Sequence, residues 1–104
     1  MLDINFEFRK GIFFLRFSGT LNKESYKQKE KEIKQLIIEN NFEYIVINTN
    51  SLNNIDLDGI SCMLEICTVT KENKSNLIIC DKHNLFKRML NNNFPNISDE
   101  LEVL

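Results

Sequence analysis

Residues 44–66 read YIVINTNSLNNIDLDGISCMLEI and contain the two elements that decide the fold. The run YIVIN is short, nearly continuously apolar and rich in β-branched residues, which predicts a strand covered on both faces, as at the centre of a parallel sheet. The segment that begins at Gly59, GISCMLEICTVTK, has the length of a helix and is apolar around most of its circumference, so we predict a largely buried helix. Between the two lies Asp56-Leu57-Asp58-Gly59, whose paired carboxylates need an explanation.

The flanking segments extend this α/β pattern. Strict alternation of apolar and polar residues before and after a turn signal at 9–11 predicts an N-terminal β-hairpin. Two β-α-β crossovers follow, so we predict a mixed four- to five-stranded sheet with packed helices. The tail from Phe94 is consistent with a last strand, a helical turn, or both. The predicted elements are strands at 3–9, 12–19, 44–48 and 77–80, and helices at 23–40, 59–71 and 81–92.

Composition limits the classes of function. The chain has 104 residues, 42% hydrophobic and 27% charged, with a net charge of −2, which predicts a single domain over residues 1–104 and no affinity for nucleic acid. No apolar run approaches the roughly 20 residues that span a bilayer, so membrane insertion is not expected. Three cysteines without metal-type spacing predict reduced thiols in a cytoplasmic protein, and no cofactor is implied.

The Asp-x-Asp-Gly sequence has a catalytic interpretation. It resembles the motif of haloacid-dehalogenase-type phosphatases, in which the first Asp attacks phosphorus, the second handles the leaving-group proton, and magnesium balances charge. Here the motif follows about half the chain, and NTNSLNN separates it from the apolar strand. No acidic pair follows the next strand, so we keep a magnesium-dependent phosphatase only as a remote alternative.

The order of the elements supports a different resemblance. The segment 44–66 resembles the central part of STAS domains, the family of bacterial anti-sigma factor antagonists, where a buried strand and a loop ending in Asp-Ser-Ser/Thr-Gly-Leu precede an apolar helix. Asp56, Gly59 and Ile60 match that pattern, Leu57 stands at the first Ser, and Asp58 stands at the residue that is phosphorylated in regulated members. The stretch FLRFSGTLN resembles the family's second strand and its Gly-Glu-Leu-Asp turn. The resemblance runs from about residue 3 to 92.

The resemblance implies a non-catalytic binding module rather than an enzyme. Regulated members of the family dock onto a serine-kinase anti-sigma factor and are released when the kinase phosphorylates them. The partner would be such a kinase or another STAS-binding regulatory protein, and a STAS subunit of a larger signalling or transporter-associated assembly is the alternative. The docking residues implied are Thr20, Asn22, Asp56, Leu57, Asp58, Gly59, Ile60 and Ser61.

Asp58 allows three interpretations, because it cannot be phosphorylated by a serine/threonine kinase. It can fix the module in a binding state that does not depend on phosphorylation, which we favour. It can instead imitate the phosphorylated state in part, since a carboxylate carries less charge than a phosphate. It can also simply cap the helix, which would stabilise it by about 1 kcal/mol. Asp56 is a candidate for capping or partner contact, and Ser61 for a displaced phosphoacceptor, a cap or a sheet-facing residue.

Overall fold

A computed structural model describes residues 1–98, 101 and 103 and shows a mixed sheet with a layer of helices on one face. The strand order is β1-β2-β3-β4, with β1 antiparallel to β2 and the other neighbours parallel. The predicted α/β class and the hairpin followed by crossovers are therefore confirmed. The elements are β1 Leu2–Arg9, β2 Ile12–Leu21, α1 Lys23–Glu39, β3 Tyr44–Ile55, α2 Leu57–Glu72, β4 Asn76–Cys80, α3 Leu85–Asn93 and α4 Pro95–Ser98.

The core lies between the helical layer and one face of the sheet. Phe13, Leu15 and Phe17 alternate along β2 and are almost fully buried, as their spacing predicts. On β3, Ile45 and Ile47 point into the same core. Helix α2 contacts α1, α3 and two strands, so the three longer helices form one layer.

The opposite face of the sheet corrects one prediction. We expected YIVIN to be covered on both faces, but Tyr44, Val46 and Asn48 are only partly buried. They alternate with the fully buried Ile45 and Ile47, so β3 is half-covered despite its apolar sequence. A continuous apolar run was therefore not sufficient to predict two-sided burial.

Strand β3 is also longer than predicted, because the segment NTNSLNN continues it to Ile55. Its pairing with β2 shifts register twice, between Arg16 and Ser18 and between Gly19 and Thr20. At each shift β3 contributes one more residue than β2, as in a β-bulge. These two extra residues let a polar, Asn-rich segment stay in the sheet until the head of α2.

The connection from β4 to α3 is organised by a buried carboxylate. Asp81 is 3% exposed. One of its oxygens accepts a hydrogen bond from Thr49 Oγ1 at 2.7 Å, and the other accepts one from Lys87 N at 2.8 Å. We predicted a helix from residue 81, but α3 begins at Leu85 because Asp81 instead binds the helix's free N–H groups from outside. Beyond α3, the described part of the tail contains a short α4 and an isolated parallel bridge from Val103 to Ile79, and the prediction for residues 99, 100, 102 and 104 lies outside the described residues.

Candidate partner-binding site

The heads of α1 and α2 lie side by side at the carboxyl ends of the neighbouring strands β2 and β3. Strands β2 and β3 are parallel neighbours, and each is followed by its helix after a single residue. The last two pairs of the ladder are Thr20 with Asn54 and Leu21 with Ile55. The GTLN turn and the Asp-x-Asp-Gly segment are therefore adjacent, although about 35 residues separate them along the chain.

Asn22 holds the head of α1. Its side chain accepts a hydrogen bond from Ser25 N at 2.8 Å, and Ser25 Oγ accepts one from Asn22 N at 3.0 Å, which completes a capping box. The carbonyl of Thr20 accepts a further bond from the Ser25 hydroxyl. Both Thr20 and Asn22 are partly buried, so they form the rigid border of the site.

Asp56, and not Asp58, is the N-cap of α2. Asp56 has extended backbone, and its Oδ1 accepts a hydrogen bond from Gly59 N at 2.7 Å. Asp58 lies inside the first turn and is exposed. The interpretation of Asp58 as the cap is therefore wrong, whereas capping by Asp56 is confirmed. The reason is that β3 pairs as far as Ile55, which leaves Asp56 as the single residue between strand and helix.

Gly59 allows α2 to approach the end of β2 closely. A Cβ atom at this position would lie 2.3 Å from the carbonyl oxygen of Leu21 and 2.9 Å from Ile55 Cγ1. Asp56 N also donates to Leu21 O, at 3.4 Å. The glycine is therefore required by packing against backbone, since its own backbone is helical.

Four of the predicted docking residues, Asp56, Leu57, Asp58 and Ser61, are exposed at the surface of the site. Leu57 is 51% exposed, and Asp58 and Ser61 are exposed beside it. Ser61 Oγ donates to Leu57 O at 3.3 Å and faces solvent, so the expectation that it caps the helix or faces the sheet is wrong. Ile60 is fully buried and Gly59 is buried. These two predicted site residues shape the surface and offer no side chain for direct contact.

A groove between α1 and α2 borders this surface and contains residues that the sequence did not single out. It has a volume of about 330 Å³, with Lys23 and Lys27 on the α1 side and Asp58 and Glu65 on the α2 side. The interleaved Lys and Glu residues of this part of α1 are typical of a solvated helix face, so Lys23 and Lys27 were not predicted as site residues. The signal available was the spacing of Lys23 and Lys27, one turn apart directly after the Asn22 cap.

The groove is not equipped for thiol chemistry. Burial, assisted by the negative charge of Glu65, raises the pKa of the Cys62 thiol to about 11. A thiol with this pKa is protonated at neutral pH and is a weak nucleophile. Beneath it, burial also raises the pKa of Tyr26, whose hydroxyl has no hydrogen-bond partner among the described residues.

The position of Asp56 does not favour the phosphatase interpretation of the Asp-x-Asp-Gly segment. The Asp56 carboxylate, which would be the nucleophile, is hydrogen-bonded to the backbone of its own helix. Within residues 1–98, 101 and 103, no three His, Cys, Asp or Glu side chains are grouped so that they could hold a metal ion. In the same part of the chain, no helix is long and apolar enough to cross a membrane.

Solved structures with the same fold include two anti-sigma factor antagonists. SpoIIAA in its unphosphorylated form has a TM-score of 0.78 at 14% identity, and the match covers 98% of this chain and 88% of SpoIIAA. An antagonist from Mycobacterium paratuberculosis has a TM-score of 0.77 at 13% identity, covering 99% and 85%. A serine-to-glutamate variant of RsbS from Moorella thermoacetica has a TM-score of 0.80 at 13% identity, covering 97% and 85%. At these identities the similarity establishes the fold.

Comparison of the sequence itself is more specific. A search of curated proteins found no match. The model of the STAS domain family matches residues 3–93, which include the hairpin, both helix heads and the segment as far as α3. The predicted resemblance is thereby confirmed, and the chain belongs to the STAS domain family.

Proposed function

We propose that this chain is a non-catalytic regulatory module that binds a protein partner through the head of α2, and that this binding does not depend on phosphorylation of the module. The partner class is a serine-kinase anti-sigma factor or another regulatory protein that binds STAS domains. Family membership and the likeness to anti-sigma factor antagonists support this class.

The observation that carries the proposal is the rigid exposure of Leu57 next to Asp58. Isolated exposed leucines are common and carry little information. Leu57, however, lies in the first turn of a helix that is held by the Asp56 cap and by the contact of Gly59 with Leu21. An apolar side chain and a carboxylate presented on a preorganised turn can bind a partner with little loss of conformational entropy.

Asp58 supports independence from phosphorylation. Its side chain has no hydroxyl group to accept a phosphate, and it already brings a negative charge to the first turn of α2, where the helix dipole favours an anion. The partner surface must therefore accommodate a carboxylate permanently. A phosphate would bring about −1.5 to −2 charge and an additional acceptor oxygen, so Asp58 is an incomplete substitute for it.

Binding measurements with purified kinase anti-sigma factors test the proposal. We expect the wild-type chain to bind without ATP and to stay bound when ATP is added. Leu57→Ala should weaken binding by roughly 5- to 10-fold, because about half of the leucine surface remains to be buried, corresponding to about 1–1.5 kcal/mol. Glu72→Ala is the matched control, since Glu72 is exposed at the far end of α2.

Asp58→Ser completes the design. This variant restores a hydroxyl at the proposed switch position, so we expect a kinase partner to phosphorylate it and then release it in the presence of ATP. Failure of the wild-type chain to bind any such kinase, or binding that Leu57→Ala and Asp58→Ser leave unchanged, would refute docking at this surface. Migration with a much larger complex in gel filtration would favour a subunit of a signalling or transporter-associated assembly.

A further inference from the structure

Strand β1 is an edge strand with hydrogen-bonding groups available. It pairs with β2 on one side, and no described strand pairs with its other side. The hairpin closes at Arg9 and Ile12 through Lys10 and Gly11, which both have positive φ, as in a type I′ turn. Such a turn makes Arg9 and Ile12 a hydrogen-bonded pair, so the odd-numbered residues of β1 bond to β2. The backbone N–H and C=O groups of Ile4, Phe6 and Phe8 then point outward.

The side chains of this edge are distributed symmetrically about Phe6. Asp3 and Arg9, which carry opposite charges, lie three residues before and after it, and both are exposed. Phe8 is 54% exposed, although it stacks on Phe13 at 4.8 Å between ring centroids. Arg9 currently pairs with Glu7 on its own strand. Natural edges are usually protected by charged side chains, especially lysines, whereas the charges of this edge are complementary to those of a second copy.

Charge and the length of overlap together select one register for pairing with an identical strand, since registers centred on Ile4 or Phe8 oppose no like charges but pair only residues 2–6 or 7–9 of β1. Centred on Phe6, an antiparallel pair places Asp3 opposite Arg9, Asn5 opposite Glu7, and Ile4 opposite Phe8. A pair centred on Asn5 places Asp3 opposite Glu7. A pair centred on Glu7 places the Glu7 carboxylates of the two copies opposite each other. Like charges directly opposite each other destabilise a strand pair. In a register centred between two residues, the outward-facing backbone groups of one copy would lie opposite residues of the other copy whose backbone groups bond to β2.

We propose that β1 binds a second copy of this chain by antiparallel pairing centred on Phe6. The two four-stranded sheets then form one continuous sheet across a twofold axis. Three residue pairs, each exchanging two N–H···O=C bonds, supply about six backbone hydrogen bonds. Ile4 of each copy covers the exposed Phe8 of the other, and Asp3 of each copy meets Arg9 of the other at both ends. This surface is separate from the head of α2, so the inference does not rest on the proposed function.

Sedimentation equilibrium of the full chain and of charge-reversed variants tests the pairing. We expect the wild-type chain to dimerise. Asp3→Arg and Arg9→Asp should each raise the dissociation constant by roughly tenfold or more, since each replaces two attractive pairs with two repulsive ones. The double variant should recover dimerisation, and an equimolar mixture of the two single variants should form a heterodimer. Glu72→Arg makes the same change of charge as Asp3→Arg but far from β1, so this variant should dimerise like the wild type.

Hydrogen exchange provides a readout that needs no variant. The amide protons of Ile4, Phe6 and Phe8 should become more protected as protein concentration rises, while the exposed amides of the helices should not change. A wild-type chain that stays monomeric at millimolar concentration would overturn the proposal. So would a dimer whose stability the single charge reversals leave unaltered, because it would use a different surface.

Discussion

Substituting alanine for Asp56 and for Asp58 separately tests which carboxylate supports the head of α2. Asp56 Oδ1 accepts the hydrogen bond from Gly59 N at 2.7 Å. Asp56→Ala therefore removes an N-cap, and we expect the free energy of unfolding to fall by about 1 kcal/mol, within the usual range of about 0.5–2 kcal/mol. The N–H group that loses its partner lies at the contact with β2, where the close approach of Leu21 restricts access of water.

Asp58→Ala should lower the free energy of unfolding much less than Asp56→Ala, because two contributions to helix stability oppose each other. Asp58 is in the first turn, where a negative charge interacts favourably with the helix dipole by about 0.3–1 kcal/mol. Alanine, however, has a better helix propensity than aspartate by up to about 0.7 kcal/mol. The net change is expected to lie near zero, so the two variants should differ by about 1 kcal/mol.

Urea unfolding followed by circular dichroism, at one neutral pH and matched protein concentration, measures this difference. A change of 1 kcal/mol corresponds to roughly 4–8 °C in the melting temperature of a small domain, so thermal melting gives an independent check. Asp56→Asn is the matched control, because asparagine also caps helices well and should retain most of the stability. If Asp58→Ala destabilised the chain as much as Asp56→Ala, the assignment of the cap to Asp56 would be incorrect.

Two further predictions concern packing and alkaline pH. Gly59→Ala should destabilise the chain by about 1–3 kcal/mol, since the added Cβ would meet Leu21 O at 2.3 Å; urea unfolding that showed the gain usual for alanine in a helix would contradict the close packing of α2 on β2. Stability should also fall as pH rises above 9, because burial raises the pKa of Cys62 to about 11 and that of Cys67 to about 12, from an ordinary value of 9.0. Between these values the folded chain keeps protons that the unfolded chain has lost, so rising pH favours unfolding. Urea midpoints from pH 8 to 10.5 would measure the decline, and a Cys62→Ser, Cys67→Ala variant that declined equally steeply would exclude the thiols as its cause.

Much of the fold could be predicted because apolar residues recur with a short period within each strand and helix. Alternation of apolar residues in the first two strands identified the hairpin, and Phe13, Leu15 and Phe17 proved to be core residues. The stripe predicted for α1 from its spacing comprises Tyr26, Ile33, Leu36, Ile37 and Asn40. It contains the three buried residues of the helix, Tyr26, Ile33 and Ile37, whereas Leu36 is only partly buried and Asn40 is exposed. Each of these patterns is a property of one segment, so no knowledge of the rest of the chain was needed.

The candidate site was predictable only in part. Its location is a prediction from the family resemblance. The family model confirms membership of the family, and in the structure the GTLN turn borders the head of α2. The exposure of individual residues did not follow, because Ile60 and Leu57 are similar in apolar character yet one is fully buried and the other about half exposed. Which of them points outward depends on where the helix begins.

The sequence by itself determined the kinds of side chain at each position and their local periods, and these were sufficient for the element order, the core stripes and the family. Only the tertiary structure decided that β3 continues through NTNSLNN to Ile55, that Asp56 rather than Asp58 caps α2, and that Gly59 packs against Leu21. The physical reason is that two carboxylates two residues apart have the same capping chemistry, so local sequence does not discriminate between them. The choice depends on where strand pairing ends, and that is set by hydrogen bonds to β2, a strand more than 30 residues away along the chain.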